Sequence, residues 1–309
     1  MTSRSSYLLL AGAALVAAAA GALWFASAPQ RLDAALVEDM PTGDAARGEM
    51  VFWAAGCASC HAESGATGDD RLVLAGGTRF ETPFGTFVAP NISQHSDDGI
   101  GAWSAEDLAN AMMRGVSPEG RHYYPAFPYA SYARMQVEDV ADLYAFMQSL
   151  PAVEGIAAPG DVGFPFNVRR GIGLWKRLFL DDQPAVALDD ASQQVLRGQY
   201  LVEAMGHCGE CHTPRNALGA LDASQWLAGA APLEVEGRPV PNISPGEDGI
   251  GGWSEDEIVA LLESGFTPEF DSVGGTMAAV VRNLAELPAD DREAIAAYLK
   301  AIPAHPNGY

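Results

Sequence analysis

Apolar and polar positions divide the chain into a hydrophobic leader and two similar halves. Tyr7 to Ala28 is apolar and uncharged, with Arg4 ahead of it. This length is close to the roughly 20 residues a membrane span needs and exceeds the usual hydrophobic region of a signal peptide. Ala26-Ser27-Ala28 has the form of a cleavage site, but Pro29 follows at once and makes a poor peptidase substrate. Residues 1–30 are read as an uncleaved signal-anchor in preference to a removed signal peptide. From Asp44 a helical pattern carries Gly48, Phe52 and Trp53 forward. Leu72 to Ile100, rich in Gly, Pro and Thr, reads as loop wrapped over a flat ligand. Ser104 and Asp107 form a capping-box signature, opening a helix that runs to about Arg114 and ends at Gly115. Beyond a loop holding Tyr123, Tyr124, Pro125, Phe127 and Pro128, a closing helix is predicted from Val137 to Leu150, before Pro151.

The second half repeats this plan. Gly198, Tyr200 and Val202 stand where the first helical pattern stood. Pro241-Asn242-Ile243-Ser244 answers Pro90-Asn91-Ile92-Ser93, and Gly249-Ile250-Gly251 answers Gly99-Ile100-Gly101. Trp253-Ser254 with Glu257 answers Trp103-Ser104 with Asp107, and a last helix from Asp290 to Ile302 stops at Pro303. An internal duplication of this kind fixes the architecture better than propensity does. The expectation is an all-α protein: domain 1 over residues 40–152, a linker over 153–190 and domain 2 over 191–305. Gly48 with Phe146, and Gly198 with Tyr298, are candidates for a close crossing of first and last helices in each domain.

A chain of 309 residues is long enough for two domains with separate cores. Its net charge of −22 argues against nucleic acid and against an anionic membrane surface as partners. A basic docking patch on a partner protein is the natural counterpart. The linker is the exception, with Arg169, Arg170, Lys176 and Arg177 close together. Three readings apply to them: pairing with cofactor carboxylates, contact with lipid head groups beside an anchor, or a solvated crossover that satisfies local acidic groups.

The chemistry lies in two short runs, Cys57-Ala58-Ser59-Cys60-His61 and Cys208-Gly209-Glu210-Cys211-His212, which hold all four cysteines. Each is a C-x-x-C-H run, the mark of covalent c-type haem attachment. Residues at i, i+3 and i+4 share a helical face. Two thiols there can form thioethers with the haem vinyl groups, while the adjacent imidazole reaches the iron. Against the rivals, a thioredoxin-like pair, two structural disulfides or a zinc site, a redox pair needs no following histidine, and a four-thiolate zinc site normally has closer pairs and leaves both histidines unexplained. Cys57, Cys60, His61, Cys208, Cys211 and His212 are therefore assigned to two covalently bound haem c groups, with His61 and His212 as iron ligands. Attachment of this kind takes place outside the bacterial cytoplasm, which places the body of the chain in the periplasm, anchored to the inner membrane by its first helix. The Asp-Gly loops at Asp97-Asp98-Gly99 and Glu247-Asp248-Gly249 fail the EF-hand register, where Ser244 and Gly246 replace carboxylates.

Arg197-Gly198-Gln199-Tyr200-Leu201-Val202, then Gly206-His207-Cys208 through Cys211-His212-Thr213-Pro214-Arg215-Asn216, resembles the class I cytochrome c subunits of membrane-bound periplasmic dehydrogenases, those for alcohol and gluconate among them. The Asn-Ile-Ser and Gly-Ile-Gly-x-Trp-Ser blocks and Tyr124-Pro125-Ala126-Phe127-Pro128-Tyr129 extend the resemblance over everything after residue 40. Many such relatives carry three haems, whereas two attachment runs are present here. The resemblance implies small helical haem domains that pass electrons from a periplasmic dehydrogenase to a quinone, terminal oxidase or another cytochrome.

A class I haem usually takes a methionine sulfur as its sixth ligand. In domain 2 the resemblance places it at Met277, in a Gly-Gly-Thr-Met-Ala loop, while Met205 is too near the attachment run. In domain 1 the position counted from Trp103 falls on Phe127, which cannot bind iron and would serve as an apolar wall. Met135 ranks first there, ahead of His122 and then of an open site; His95 is weaker, and Met112 and Met113 read as core. Trp103 and Trp253 are either indole donors to haem propionates or staples ahead of the Ser caps. The functional expectation is an electron carrier with no catalytic residues. Its rivals are a dihaem redox enzyme of peroxidase-like or sulfur-oxidising type with an accessible first haem, and an assembly role that holds a partner enzyme at the membrane.

Overall fold

The computed structural model describes residues 2–232 and 237–309. Helix α1 (Thr2–Ala26) carries the apolar leader, and Ser6–Ala26 is long and apolar enough to cross a membrane. A short α2 (Ala34–Glu38) follows. Domain 1 then comprises α3 (Ala45–Ala54), α4 (Cys57–His61), a hairpin of β1 (Arg79–Thr82) and β2 (Gly85–Val88), α5 (Ala105–Arg114), α6 (Tyr129–Tyr132) and α7 (Val137–Met147). The linker contains α8 (Arg170–Phe179). Domain 2 comprises α9 (Gln193–Tyr200), α10 (Gly209–His212), α11 (Glu255–Ser264), α12 (Gly275–Leu284) and α13 (Ala289–Ala301).

Local sequence explains the helix ends. The Asp44 side chain accepts from the amides of Ala46 and Arg47 and starts α3. Both capping boxes form: Ser104 with Asp107 opens α5, and Ser254 with Glu257 opens α11. Gly115 and Gly265 close these helices in the left-handed conformation, at φ 60° and 79°. The tryptophan carbonyls before the boxes are tied to the closing helices, Trp103 by the Tyr144 hydroxyl (3.0 Å) and Trp253 by Lys300 Nζ (2.8 Å).

In each domain the first helix crosses the last at a glycine. A Cβ on Gly48 would collide with the Asp142 carbonyl and approach Phe146; one on Gly198 would collide with the Ala294 carbonyl and approach Tyr298. An arginine precedes each glycine and clamps the partner helix. Arg47 binds Asp142 through two nitrogens at 2.6 and 2.8 Å, and Arg197 binds Asp291 at 2.8 and 2.9 Å. The acid stands four residues before Phe146 but seven before Tyr298, so the clamp has moved by about one helical turn between copies.

The hairpin and a π-helical turn depart from the pattern-based expectation. Part of the stretch read as loop, Leu72 to Ile100, is the β1–β2 hairpin, with Arg79 paired to Val88 and Thr82 to Gly85. In domain 2 a π-helical turn, Leu201–Met205, lies between α9 and the attachment run. From Gly48 to Cys57 is nine residues and from Gly198 to Cys208 ten. A π turn absorbs one inserted residue without ending the helix, which accounts for the difference.

The linker packs against the end of α1. The last carbonyls of that helix lack intrahelical partners. The Arg170 guanidinium donates to the Trp24 carbonyl at 2.8 Å and lies over the Trp24 ring; Arg177 donates to the Ala26 carbonyl, and His122 Nε2 to the Ser27 carbonyl at 2.9 Å. Positive side chains at a helix C-terminus also complement its dipole. These linker cations therefore bind carbonyls and rings, rather than the local carboxylates of the solvated-crossover reading.

Candidate haem-attachment sites

Both attachment histidines are oriented by a repeated contact. His61 Nδ1 lies 2.8 Å from the Pro90 carbonyl and His212 Nδ1 2.7 Å from the Pro241 carbonyl. A carbonyl can only accept, so Nδ1 carries the proton and Nε2 keeps its lone pair. Burial lowers the pKa of both imidazoles, which favours the neutral form a metal requires. Each carbonyl belongs to a Pro-Asn-Ile-Ser loop held by its own asparagine. Asn91 Oδ1 accepts from the Ser93 amide at 2.8 Å while its Nδ2 donates to Val153 and Gly155 carbonyls at 2.8 Å. Asn242 repeats this with the Ser244 amide (2.8 Å) and the His305 carbonyl (2.9 Å). The duplicated block thus fixes the tautomer of the histidine beside it, the kind of outer contact that metal-binding histidines generally need.

Cys57 and Cys60 lie on α4; Cys208 caps α10 and Cys211 lies on it. All four thiols are free, and each cysteine is enclosed by its domain yet keeps an accessible edge. Burial pushes Cys57 and Cys208 up to about 12 and Cys60 and Cys211 up to about 11. Surroundings that oppose the thiolate suit neither a redox pair nor a zinc site. Among the described residues no three His, Cys, Asp or Glu side chains converge to hold a metal ion. Two protonated thiols one turn apart, next to an imidazole with a free Nε2, fit a tetrapyrrole that brings its own iron.

Residues in and beside each attachment run contact the other domain. The Ala55 carbonyl accepts from the Tyr132 hydroxyl at 2.8 Å and lies 3.3 Å from His207 Nε2. Asn283 Nδ2 of α12 reaches Ser59 Oγ of the first run at 2.8 Å, and Ser131 Oγ reaches Glu210 Oε1 of the second at 3.2 Å. Arg71 lies 4.3 Å over the Trp53 ring and bonds the Arg282 carbonyl of α12 and Glu286 just beyond that helix. Arg71, Ser131, Tyr132 and Asn283 were not singled out by sequence pattern, and His207 only as part of the Gly206-His207-Cys208 block. The only trace of His207 there is its place directly before Cys208, where domain 1 has Gly56.

The sixth-ligand candidates are distributed as follows. Met135 is 4% exposed and lies between α6 and α7, its amide bonded to the Tyr132 carbonyl at 3.0 Å. Met277 is half-buried and lies in the first turn of α12, in helix instead of the expected loop. Phe127 is half-buried, with the Tyr123 and Tyr132 rings each 5.8 Å away. Met112 and Met113 are buried on α5, and Met205 is buried in the π turn. His122 stands at the junction of α1 and α8 against Ser27. His95 Nδ1 accepts from the Asp98 amide at 3.0 Å and closes its own loop.

Two helical domains, each presenting a thiol pair and a histidine set as a metal ligand, define a tandem c-type haem protein. The cytochrome c family description matches residues 45–151 and 195–303, and this chain belongs to that family. It is 51% identical to a dihaem c-type cytochrome of Cereibacter sphaeroides over 96% of this chain and 98% of that one. It is 36% identical to the fructose dehydrogenase cytochrome subunit of Gluconobacter japonicus, over 84% of this chain and 52% of the relative. The gluconate 2-dehydrogenase cytochrome c subunit of Pantoea cypripedii is also 36% identical, over 84% of this chain and 59% of the relative. The chain thus spans nearly all of the dihaem relative and little more than half of these dehydrogenase subunits. As a dihaem member of the family, it carries two covalently bound haem c groups.

Proposed function

We propose that this cytochrome relays electrons from a periplasmic dehydrogenase to a downstream respiratory acceptor, a quinone, terminal oxidase or another cytochrome, while α1 holds it in the inner membrane. Haem c supplies reversible one-electron chemistry when bound. Cys57, Cys60 and His61 would hold one group, with Met135 as sixth ligand. Cys208, Cys211 and His212 would hold the other, with Met277. The observation that carries the relay is that Ala55 and His207, beside the two attachment runs, lie 3.3 Å apart, and that Asn283 of domain 2 reaches Ser59 of the first run, so the two sites lie side by side. The named relatives, cytochrome subunits of fructose and gluconate dehydrogenases, support a dehydrogenase as donor. An acidic surface suits a basic docking patch on that enzyme.

The test is purification of the holoprotein from its native membrane in mild detergent. A dehydrogenase should accompany it, and addition of that enzyme's substrate should reduce both haems. The relay is refuted if no dehydrogenase fraction reduces either haem while the reduced protein binds carbon monoxide and turns over peroxide; that outcome supports the enzyme reading.

A further inference from the structure

A pocket of about 270 Å3 lies where α1 ends, lined by Ala28, Gln30, Arg114, His122, Gly173, Lys176, Arg177 and Leu180. The four ionisable groups among these are three cations and a histidine. In a chain with 40 acidic and 18 basic residues, unneutralised convergence of cations is anomalous. Among the described residues, Arg114, Lys176 and Arg177 have no carboxylate within 4.0 Å, although seven other arginines do.

The polar groups are also under-used. Arg114 Nε and His122 Nδ1 are buried without a hydrogen-bond partner, and His122 is only 3% exposed. Lys176, 9% exposed, points its ammonium at the carbonyls of Arg114 and Gly115 at 2.6 and 2.7 Å. Burial and the neighbouring Arg114 charge bring its pKa down to about 7. Buried like charges without a counterion cost free energy, and an anion among them recovers it.

We propose that this pocket binds an anionic phosphate group, and that its position selects the head group of an acidic glycerophospholipid at the periplasmic membrane surface. The guanidinium of Arg114 and the exposed guanidinium of Arg177 would grip the phosphate oxygens, the geometry in which arginine outperforms lysine. The location supports the lipid as source. Ala28 and Gln30 follow the apolar span directly, and Leu178, next to Arg177 on α8, is 71% exposed. Apolar side chains exposed beside a cationic pocket suit a membrane interface. The site is local, so the overall acidity that disfavours a charged bilayer does not oppose it.

The test uses the full-length holoprotein in detergent, mixed with phosphatidylcholine vesicles with or without phosphatidylglycerol, and native mass spectrometry of the retained lipid. Phosphatidylglycerol should be retained over phosphatidylcholine, and the preference should fall about tenfold in Arg114→Gln and in Arg177→Gln. Arg177 is exposed, so its variant reports even if Arg114→Gln folds poorly. Arg79→Gln, a charge-matched change on exposed strand β1 outside the pocket lining, should retain the native preference. A separate titration with inorganic phosphate, followed by phosphorus NMR, distinguishes the sources. Line broadening that Arg177→Gln abolishes, without lipid selectivity, keeps the phosphate site and overturns the lipid assignment. No selectivity and no broadening, or equal loss in Arg79→Gln, overturns the proposal.

Discussion

His207 and Gly56 occupy the same position of the two repeats, each directly before the first cysteine, and face each other across the domain boundary. Both take the left-handed backbone conformation, at φ 43° and 67°. A Cβ on Gly56 would lie 3.7 Å from His207 Nε2, and the Ala55 carbonyl next to it lies 3.3 Å from that nitrogen. Duplication created two equivalent turns that meet nearly head-on. One kept the side chain that fills the gap and the other kept none. A non-glycine residue at positive φ marks a position whose side chain has a use.

Gly56→Ala therefore leaves room for the methyl group but strains the turn. The expected cost is about 1–2 kcal/mol from the left-handed backbone. It would be read as a lower denaturant midpoint with both haems still attached. His207→Ala keeps the strained backbone and removes the contact to Ala55. Electron equilibration between the haems, followed after a reducing flash, should slow while their separate spectra stay unchanged.

The helix crossings are less tolerant. Gly48→Ala and Gly198→Ala each place a methyl group against a carbonyl of the facing helix, Asp142 or Ala294. Overpacking of this kind costs about 1–3 kcal/mol. Each variant should lower the melting temperature of holoprotein and reduce the yield of doubly haem-loaded chain. Gly252→Ala, in open space outside the helices, should change neither.

Why some of this was legible and some was not follows from the range of the interactions. Capping boxes are local, so Ser104 with Asp107 and Ser254 with Glu257 announce their helices directly. The crossings at Gly48 and Gly198 were visible because two copies show the same glycine–aromatic pairing. The β1–β2 hairpin was missed because Arg79 to Val88 has no long apolar alternation and holds Pro83 and Gly85 at its turn. Met277 was placed in a loop because Gly274 and Gly275 precede it; instead Gly274 caps α12 and the helix starts at Gly275, which takes the left-handed conformation. The contacts between repeats, such as Asn283 with Ser59, join residues 224 apart and leave no periodic trace.

Lys176 gives stability a pH dependence of known sign. Its pKa lies near 7 when folded, against an ordinary 10.5, so between these values the unfolded chain holds more protons than the folded one. Stability then rises with pH, by at most about 1.4 kcal/mol per pH unit from this group. The groups facing it are Arg114, His122, Arg177 and the Tyr129 ring, 4.4 Å from Nζ. In phosphate-free detergent, melting temperature should climb from pH 7 to pH 9, and Lys176→Met should flatten that climb. If wild type and variant share one slope, the ammonium is not responsible.

The iron ligands opposite the two histidines provide the last prediction. Methionine bound to ferric haem gives a weak far-red band, and two methionine-ligated haems would contribute about half of it each. Met277→Ala should remove one half and Met135→Ala the other. His122, the second choice for domain 1 from sequence, stands at the end of α1 with Nε2 directed at Ser27, so His122→Ala should leave the band intact. It should instead loosen the junction of α1 with α8, seen as faster proteolysis of the linker. A spectrum altered by His122→Ala and untouched by Met135→Ala would mean that domain 1 is bis-histidine. Its haem would then have the lower potential of the pair and would be the last reduced in a redox titration.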